Sequence, residues 1–167
     1  MKKILAALFA LSLFSTAQSE NYYSANVMQI KAESEGESLS YNAISGTFGT
    51  VMSESVSGEF RFGIGIGDDS LVDSFGDTIT SEIDYMYGAY LKFNADSGNI
   101  KPYAILGLTK FKASSVDSSI GIKESGSEDD FSYGVGIDFE NGLNLEYTQY
   151  YDKDGVELNG LSLGMKF

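Results

Sequence analysis

Phe131-Ser132-Tyr133-Gly134-Val135-Gly136-Ile137-Asp138-Phe139 alternates without a fault. Phe131, Tyr133, Val135, Ile137 and Phe139 fall on one side of an extended chain. Ser132, Gly134, Gly136 and Asp138 fall on the other. Successive side chains of a strand point to opposite faces, so this stretch reads as a β-strand with one large apolar face and one small polar face. The aromatics close its ends and the aliphatics fill its middle.

The same period of two recurs outward in both directions. In residues 56–67 one face is Val56, Gly58, Phe60, Phe62, Ile64 and Ile66, and the other holds Glu59 and Arg61 among glycines. In residues 82–93, Ile83, Tyr85, Tyr87, Ala89, Leu91 and Phe93 oppose Glu82, Asp84, Met86, Gly88, Tyr90 and Lys92. Residues 143–151 set Leu143, Leu145, Tyr147 and Tyr151 against Asn144, Glu146, Thr148 and Tyr150. Residues 157–167 set Leu161, Leu163, Met165 and Phe167 against Gly160, Ser162, Gly164 and Lys166. Residues 40–52 place Ile44, Phe48 and Met52 together. Residues 22–32 are ambiguous, with Met28 and Ile30 as the expected apolar face, and residues 100–112 are apolar on both sides, so their phase stays open. Eight strands result. The turns alternate: residues 53–55, 94–99 and 140–142 are short, while 33–39, 68–80, 114–130 and 152–156 form the other set, two of them long.

Alternation fits a soluble barrel as well as a membrane one. Three features favour the membrane. Strands of about 9–13 residues exceed the roughly 5–6 common in soluble sheets, and ten tilted residues cross about 24 Å. Aromatics at strand ends, as in Tyr85, Tyr87 and Phe93, resemble headgroup-level girdles. The opposite face is small and glycine-rich, which suits the interior of an eight-stranded barrel. Its charges would then form a lumen network: Glu59, Glu82, Asp84, Asp138 and Glu146 facing Arg61, Lys92 and Lys166.

Composition excludes other classes. The 167 residues hold no Cys and no His, which removes the usual zinc sites, thiol nucleophiles and Ser-His chemistry. A net charge of −13 argues against nucleic acid. Gly63, Gly65 and Gly67 miss the dinucleotide spacing. Asp68-Asp69 and Glu128-Asp129-Asp130 could offer oxygen ligands to Ca²⁺, but a solvated acidic loop is the favoured reading. No cofactor and no metal are expected.

At the start, Lys2 and Lys3 precede an apolar run over residues 4–14, followed by Ala17-Gln18-Ser19. This is the pattern of a cleaved export signal, residues 1–19, with the cut after Ala17 or Ser19. Residues 20–167 form the barrel domain. Removing the signal takes away two lysines and no acid, moving the charge from −13 to −15.

The export signal, the eight alternating strands, Pro102-Tyr103-Ala104 with Gly107, and the closing Gly160-Leu161-Ser162-Leu163-Gly164-Met165-Lys166-Phe167 resemble the small OmpA/OmpX-like outer-membrane barrels, loosely called the porin family. The resemblance covers nearly all of residues 20–167. It implies an all-β, eight-stranded antiparallel up-and-down transmembrane barrel in the outer membrane of a Gram-negative bacterium. It also implies that Leu163, Met165 and Phe167 are the signal read by the barrel-assembly machinery, with periplasmic chaperones as earlier partners and outer-membrane lipid around the wall. Both termini and the short turns would face the periplasm. A monomeric, non-enzymatic surface or adhesion-type protein is expected, its surface partner open. The alternatives are a narrow channel, a soluble lipocalin-like binder, and a lipid-modifying enzyme, for which Glu82 and Asp84 are the available acid/base pair.

Overall fold

The computed structural model describes residues 20–34, 37–72, 78–95, 98–117 and 122–167. The expected export signal lies outside them. The described residues form nine strands: β1 (Asn21–Ser34), β2 (Glu37–Ser53), β3 (Val56–Ile66), β4 (Asp69–Val72), β5 (Thr78–Asn94), β6 (Ile100–Asp117), β7 (Ile122–Phe139), β8 (Leu143–Lys153) and β9 (Val156–Lys166). All pairings are antiparallel between chain neighbours, apart from two. β1 pairs with β9, and β3 with β5, which closes eight long strands into a barrel. The short β4 resumes the line of β3 against β5, after a break at Gly67 and Asp68. Closure leaves no edge in the barrel wall, the condition for a sheet to stand in hydrocarbon.

The wall wears an apolar belt. Val27, Leu108, Phe131 and Val135 are 53–62% exposed, and Phe60, Ile64, Leu106, Leu145, Leu161 and Leu163 lie open with them. An apolar surface running round the molecule is not a soluble exterior. Tyr85 and Tyr87 stack at its upper edge, and Tyr23 meets Phe48 at its lower edge.

Several strands outrun the belt. β6 and β7 have 18 residues each, which at ~3.3 Å per residue and a ~40–45° tilt rise about 42–45 Å, well beyond an apolar band of ~25 Å. The excess stands at one end, the tall end. The expected loops there are mostly strand. Residues 33–39 and 114–130 are largely absorbed into β1, β2, β6 and β7, and residues 68–80 contain the β4–β5 hairpin. Residues 152–156 reduce to a two-residue turn in which Asp154 and Gly155 take φ of 55° and 76°. Positive φ at both central positions is the type I′ geometry, for which Asp-Gly is suited.

Above the belt the alternation inverts, and β1 shows it within one strand. Tyr23, Ala25 and Val27 face out below, while Ser24 and Asn26 face in. Higher up Gln29 and Lys31 face out, and Met28 and Ile30 face in, at 6% and 0% exposure. The expectation that Met28 and Ile30 form the lipid face is therefore corrected. The medium outside the wall changes from hydrocarbon to water, so the apolar residues move inside. They meet Tyr41, Ala43, Ile83, Met86, Tyr150, Tyr151 and Leu158 in one core.

Two bulges complete that core. The β5–β6 register shifts between Ile83 and Tyr85, which turns Ile83 inward. The β8–β9 register shifts between Gln149 and Tyr151, so Tyr150 and Tyr151 are both buried. A bulge adds one residue and flips the faces beyond it, which is why Ile83 and Tyr151 leave the outward face expected of them. The open phase of residues 100–112 resolves with Tyr103, Ile105 and Thr109 inside and Leu106 and Leu108 outside.

These placements give an expected outcome. Ile30→Ala should cost about 2–5 kcal/mol, the usual range for emptying a packed site, and Val27→Ala about 0.5 kcal/mol or less. Urea unfolding of protein in lipid vesicles reads both. Equal losses would return Met28 and Ile30 to the lipid face.

Candidate functional site: the lumen and the tall end

Below the apolar core the lumen is ionic. Arg61 reaches inward from β3, and β8 lies diametrically across the barrel from it. Its Nη1 and Nη2 donate to the two carboxylate oxygens of Glu146 on β8, at 2.5 and 2.9 Å. Its Nε and Nη2 donate to Glu59 Oε2 at 2.8 and 2.5 Å. One guanidinium thus spans the lumen from wall to wall, with its plane over the Tyr90 ring at 4.7 Å. The fork geometry of Arg suits such two-sided binding, which the point charge of Lys cannot copy.

Both carboxylates have further donors. Tyr22 Oη donates to Glu59 at 2.5 Å. Tyr103 Oη and Thr148 Oγ1 donate to Glu146 at 3.0 and 2.8 Å. Lys92 Nζ donates to Asp138 at 2.7 Å and sits 3.7 Å from the centre of the Tyr103 ring. Lys166 lies 3.9 Å from Asp138 and 3.9 Å from the Tyr22 ring. Three cations and three carboxylates balance, and each cation also lies over a tyrosine face, a contact that strengthens when water is excluded. Above them Tyr90, Thr109 and Ser132 link hydroxyls in a chain that ends on the Tyr150 carbonyl. The lumen glycines make room for these rings: a Cβ at Gly49 would run into Tyr22, at Gly136 into Tyr103, and at Gly160 into Tyr150. The space left over is about 30 Å³, enough for one or two waters.

Six of the eight residues expected in the lumen network stand there together: Glu59, Arg61, Lys92, Asp138, Glu146 and Lys166. Glu82 and Asp84 do not. The Asp84 bulge reverses the faces above it, so Glu82 pairs with Lys123 on the exposed surface at 2.9 Å. Asp84 itself meets Lys112 at 3.2 Å and Ser114 at 2.9 Å. The bulge gives the two carboxylates separate partners outside the lumen network. The inward tyrosines Tyr22 and Tyr103 were not anticipated, since the phases of their two strands were open.

The sequence matches the family model described as an outer membrane protein beta-barrel domain over residues 4–167. The chain belongs to that family. Solved outer-membrane barrels share its architecture. Ail, the attachment invasion locus protein of Yersinia pestis, crystallised with the heparin analogue sucrose octasulfate, is 20% identical, with 89% of this chain and 99% of that one covered and a TM-score of 0.60. Neisserial surface protein A is 16% identical over 87% and 95%, with a TM-score of 0.66. The N-terminal barrel domain of OprF of Pseudomonas aeruginosa is 13% identical over 90% and 100%, with a TM-score of 0.55. At these identities the likeness is one of fold. No curated protein matches the sequence.

The tall end of this outer-membrane barrel is acidic. Glu33 stands opposite Glu157, and Glu157 opposite Asp152, so three carboxylates form one row across β1, β9 and β8. Lys31 pairs with Glu33. Like charges directly opposite one another in a sheet are destabilising. Asp69 accepts the Ser40 and Ser70 N–H groups, which hold its carboxyl below the usual range. Burial pushes the Asp130 carboxyl up, but Lys153 and the N–H groups of Phe131 and Asp152 outweigh it and bring the carboxyl below its ordinary value.

Removing the lumen bridge tests its weight. Arg61→Ala leaves Glu59 and Glu146 buried without their cation, a loss of about 3–5 kcal/mol. Lys123→Ala breaks an exposed, solvent-screened pair and should leave the midpoint nearly unchanged. Unfolding midpoints in the same vesicles compare them, and equal midpoints would mean that Arg61 is not the bridge.

Proposed function

We propose that this chain is a non-conducting, non-enzymatic barrel that acts at the cell surface through its tall end, in a surface-interaction or adhesion-type role. The Arg61 bridge carries the reading. It crosses the lumen, binds a carboxylate on each side, and leaves about 30 Å³. A solute path would have to break the bridge, and the apolar core closes the lumen again above it. The lumen carboxylates are held by Arg61, Lys92 and Lys166, and the sequence has no His to serve as a base. The structure instead extends β6 and β7 far past the belt, and surface extensions on a rigid scaffold are where interactions reside.

The acidic row narrows the partner. Ail was crystallised with a polysulfated ligand. Here Glu33, Glu157 and Asp152 would repel a polyanion, whereas a cationic partner relieves their mutual repulsion. Phe167 closes the last strand 70% exposed, its backbone exchanging hydrogen bonds with Tyr23 at 2.9 and 3.0 Å. With Leu163 and Met165 it forms the outward face that we assign to recognition by the barrel-assembly machinery. Residues 1–19 act as the export signal on this reading, and the barrel works as a monomer in outer-membrane lipid.

Two measurements test the function. Purified barrel in planar bilayers should give no single-channel steps; steady openings by the unaltered protein would restore the channel. Cells displaying the protein should be retained on a polylysine surface and not on heparin. Retention on heparin that survives Glu33→Gln and Glu157→Gln would contradict the cationic-partner reading.

A further inference from the structure

The strand ladders of the barrel stop short of the tall end at two places, and those places lie opposite each other. Between β2 and β3 the register ends at Asn42 and Ile66, and no ladder joins β2 to β4 above it among the described residues. Between β7 and β8 it ends at Tyr133 and Gln149, although β7 continues up to Ile122 and β8 to Lys153. The tall end is therefore two four-stranded flaps: β8, β9, β1 and β2 against β7, β6, β5 and β4. Between them lies the apolar core, with Met28, Ile30, Tyr41 and Leu158 from the first flap and Ile83 and Met86 from the second. The Phe111 and Tyr151 rings meet edge to face across the second seam, at 5.5 Å.

One aspartate side chain crosses each seam where the backbone ladder is missing, and at the second seam Ser132 Oγ also donates to the Tyr150 carbonyl. Asp69 on β4 accepts the Ser40 N–H of β2 at 2.7 Å. Asp130 on β7 accepts the Asp152 N–H of β8 at 3.3 Å and pairs with Lys153 at 2.5 Å. Lys153 also donates to the Asp129 carbonyl. A carboxylate here takes the place of a strand, since each binds an N–H that an absent ladder would have bound.

We propose that Asp69 and Asp130 are latches, and that the tall end is a pair of jaws that part along both seams when the latches are broken. The belt-level barrel, laddered all round, is the fixed base. Opening separates the two halves of the apolar core and presents Ile30, Ile83 and Leu158 to the outside. The inference is independent of the proposed surface role: it concerns how the end moves, not what it binds.

The chain has no Cys, so a label pair can be placed without background. Nitroxides at Ser38→Cys and Ser127→Cys, both exposed and one on each jaw, report the separation by pulsed electron resonance in lipid bilayers. A single narrow distance is expected with the latches intact. The Asp69→Ala, Asp130→Ala double variant should add a longer-distance population, while Asp68→Ala, which removes one carboxylate a residue away from Asp69, should not. Ser40→Pro removes the N–H that Asp69 binds without touching either aspartate, on a flap edge where proline is tolerated, and should open the first seam with both carboxylates present. If the double variant fails to give the heat-sensitive gel shift of a folded barrel, Ser40→Pro and Lys153→Ala carry the test. Unchanged distances in folded variants, or equal broadening by Asp68→Ala, would overturn the latches.

Discussion

Backbone N–H and C=O groups cannot be left open in hydrocarbon, and eight strands closed by the β1–β9 and β3–β5 ladders leave none in the belt. Everything else is a response to what stands on either side of that wall. Where lipid is outside, apolar residues face out and polar ones must be accommodated within. Where the strands rise clear of lipid, water is outside and the same wall must turn its apolar residues in. The molecule therefore has two interiors stacked on one axis: an ionic one at belt level and an apolar one above it.

The ionic interior follows from the small radius. An eight-stranded barrel has room for side chains and little more, so charges placed inside cannot be solvated by a water column and need partners. Arg61 meets that need by spanning the lumen between Glu59 and Glu146, and Tyr22 and Tyr103 complete the hydrogen bonding of both carboxylates. The glycines opposite those rings belong to the same solution. On the proposed reading, the plugged lumen moves the biological role to the protruding end, where the ladders part and the surface is acidic.

Much of this was legible in the sequence, and the failures have physical causes. Residues 131–139 could be read directly because they lie wholly within the belt, where one rule applies. β1 could not, because the rule reverses between Val27 and Gln29, and a strand apolar on one face below and on the other face above looks like no period at all. The bulges at Asp84 and Tyr150 hide in the same way, each shifting parity by one residue, so unbroken alternation puts Glu82 and Asp84 on the lumen face. Residues 122–130 read as a loop because both faces of that ribbon are exposed, so no apolar alternation marks it as strand. The ionic partners were recognisable by face and charge, but their tyrosine donors sat on strands whose phase was open.

The central claim is the reversal of the wall at the upper edge of the belt, and a nitroxide scan of single cysteines along residues 22–33 in bilayers tests it most directly. Collision rates with oxygen, which concentrates in lipid, should be high at 23, 25 and 27 and fall at 29, 31 and 33. A water-soluble nickel complex should gain access at those last three positions, while 28 and 30 stay shielded from both. High oxygen access at 28 and 30, with 29 and 31 shielded, would contradict the account.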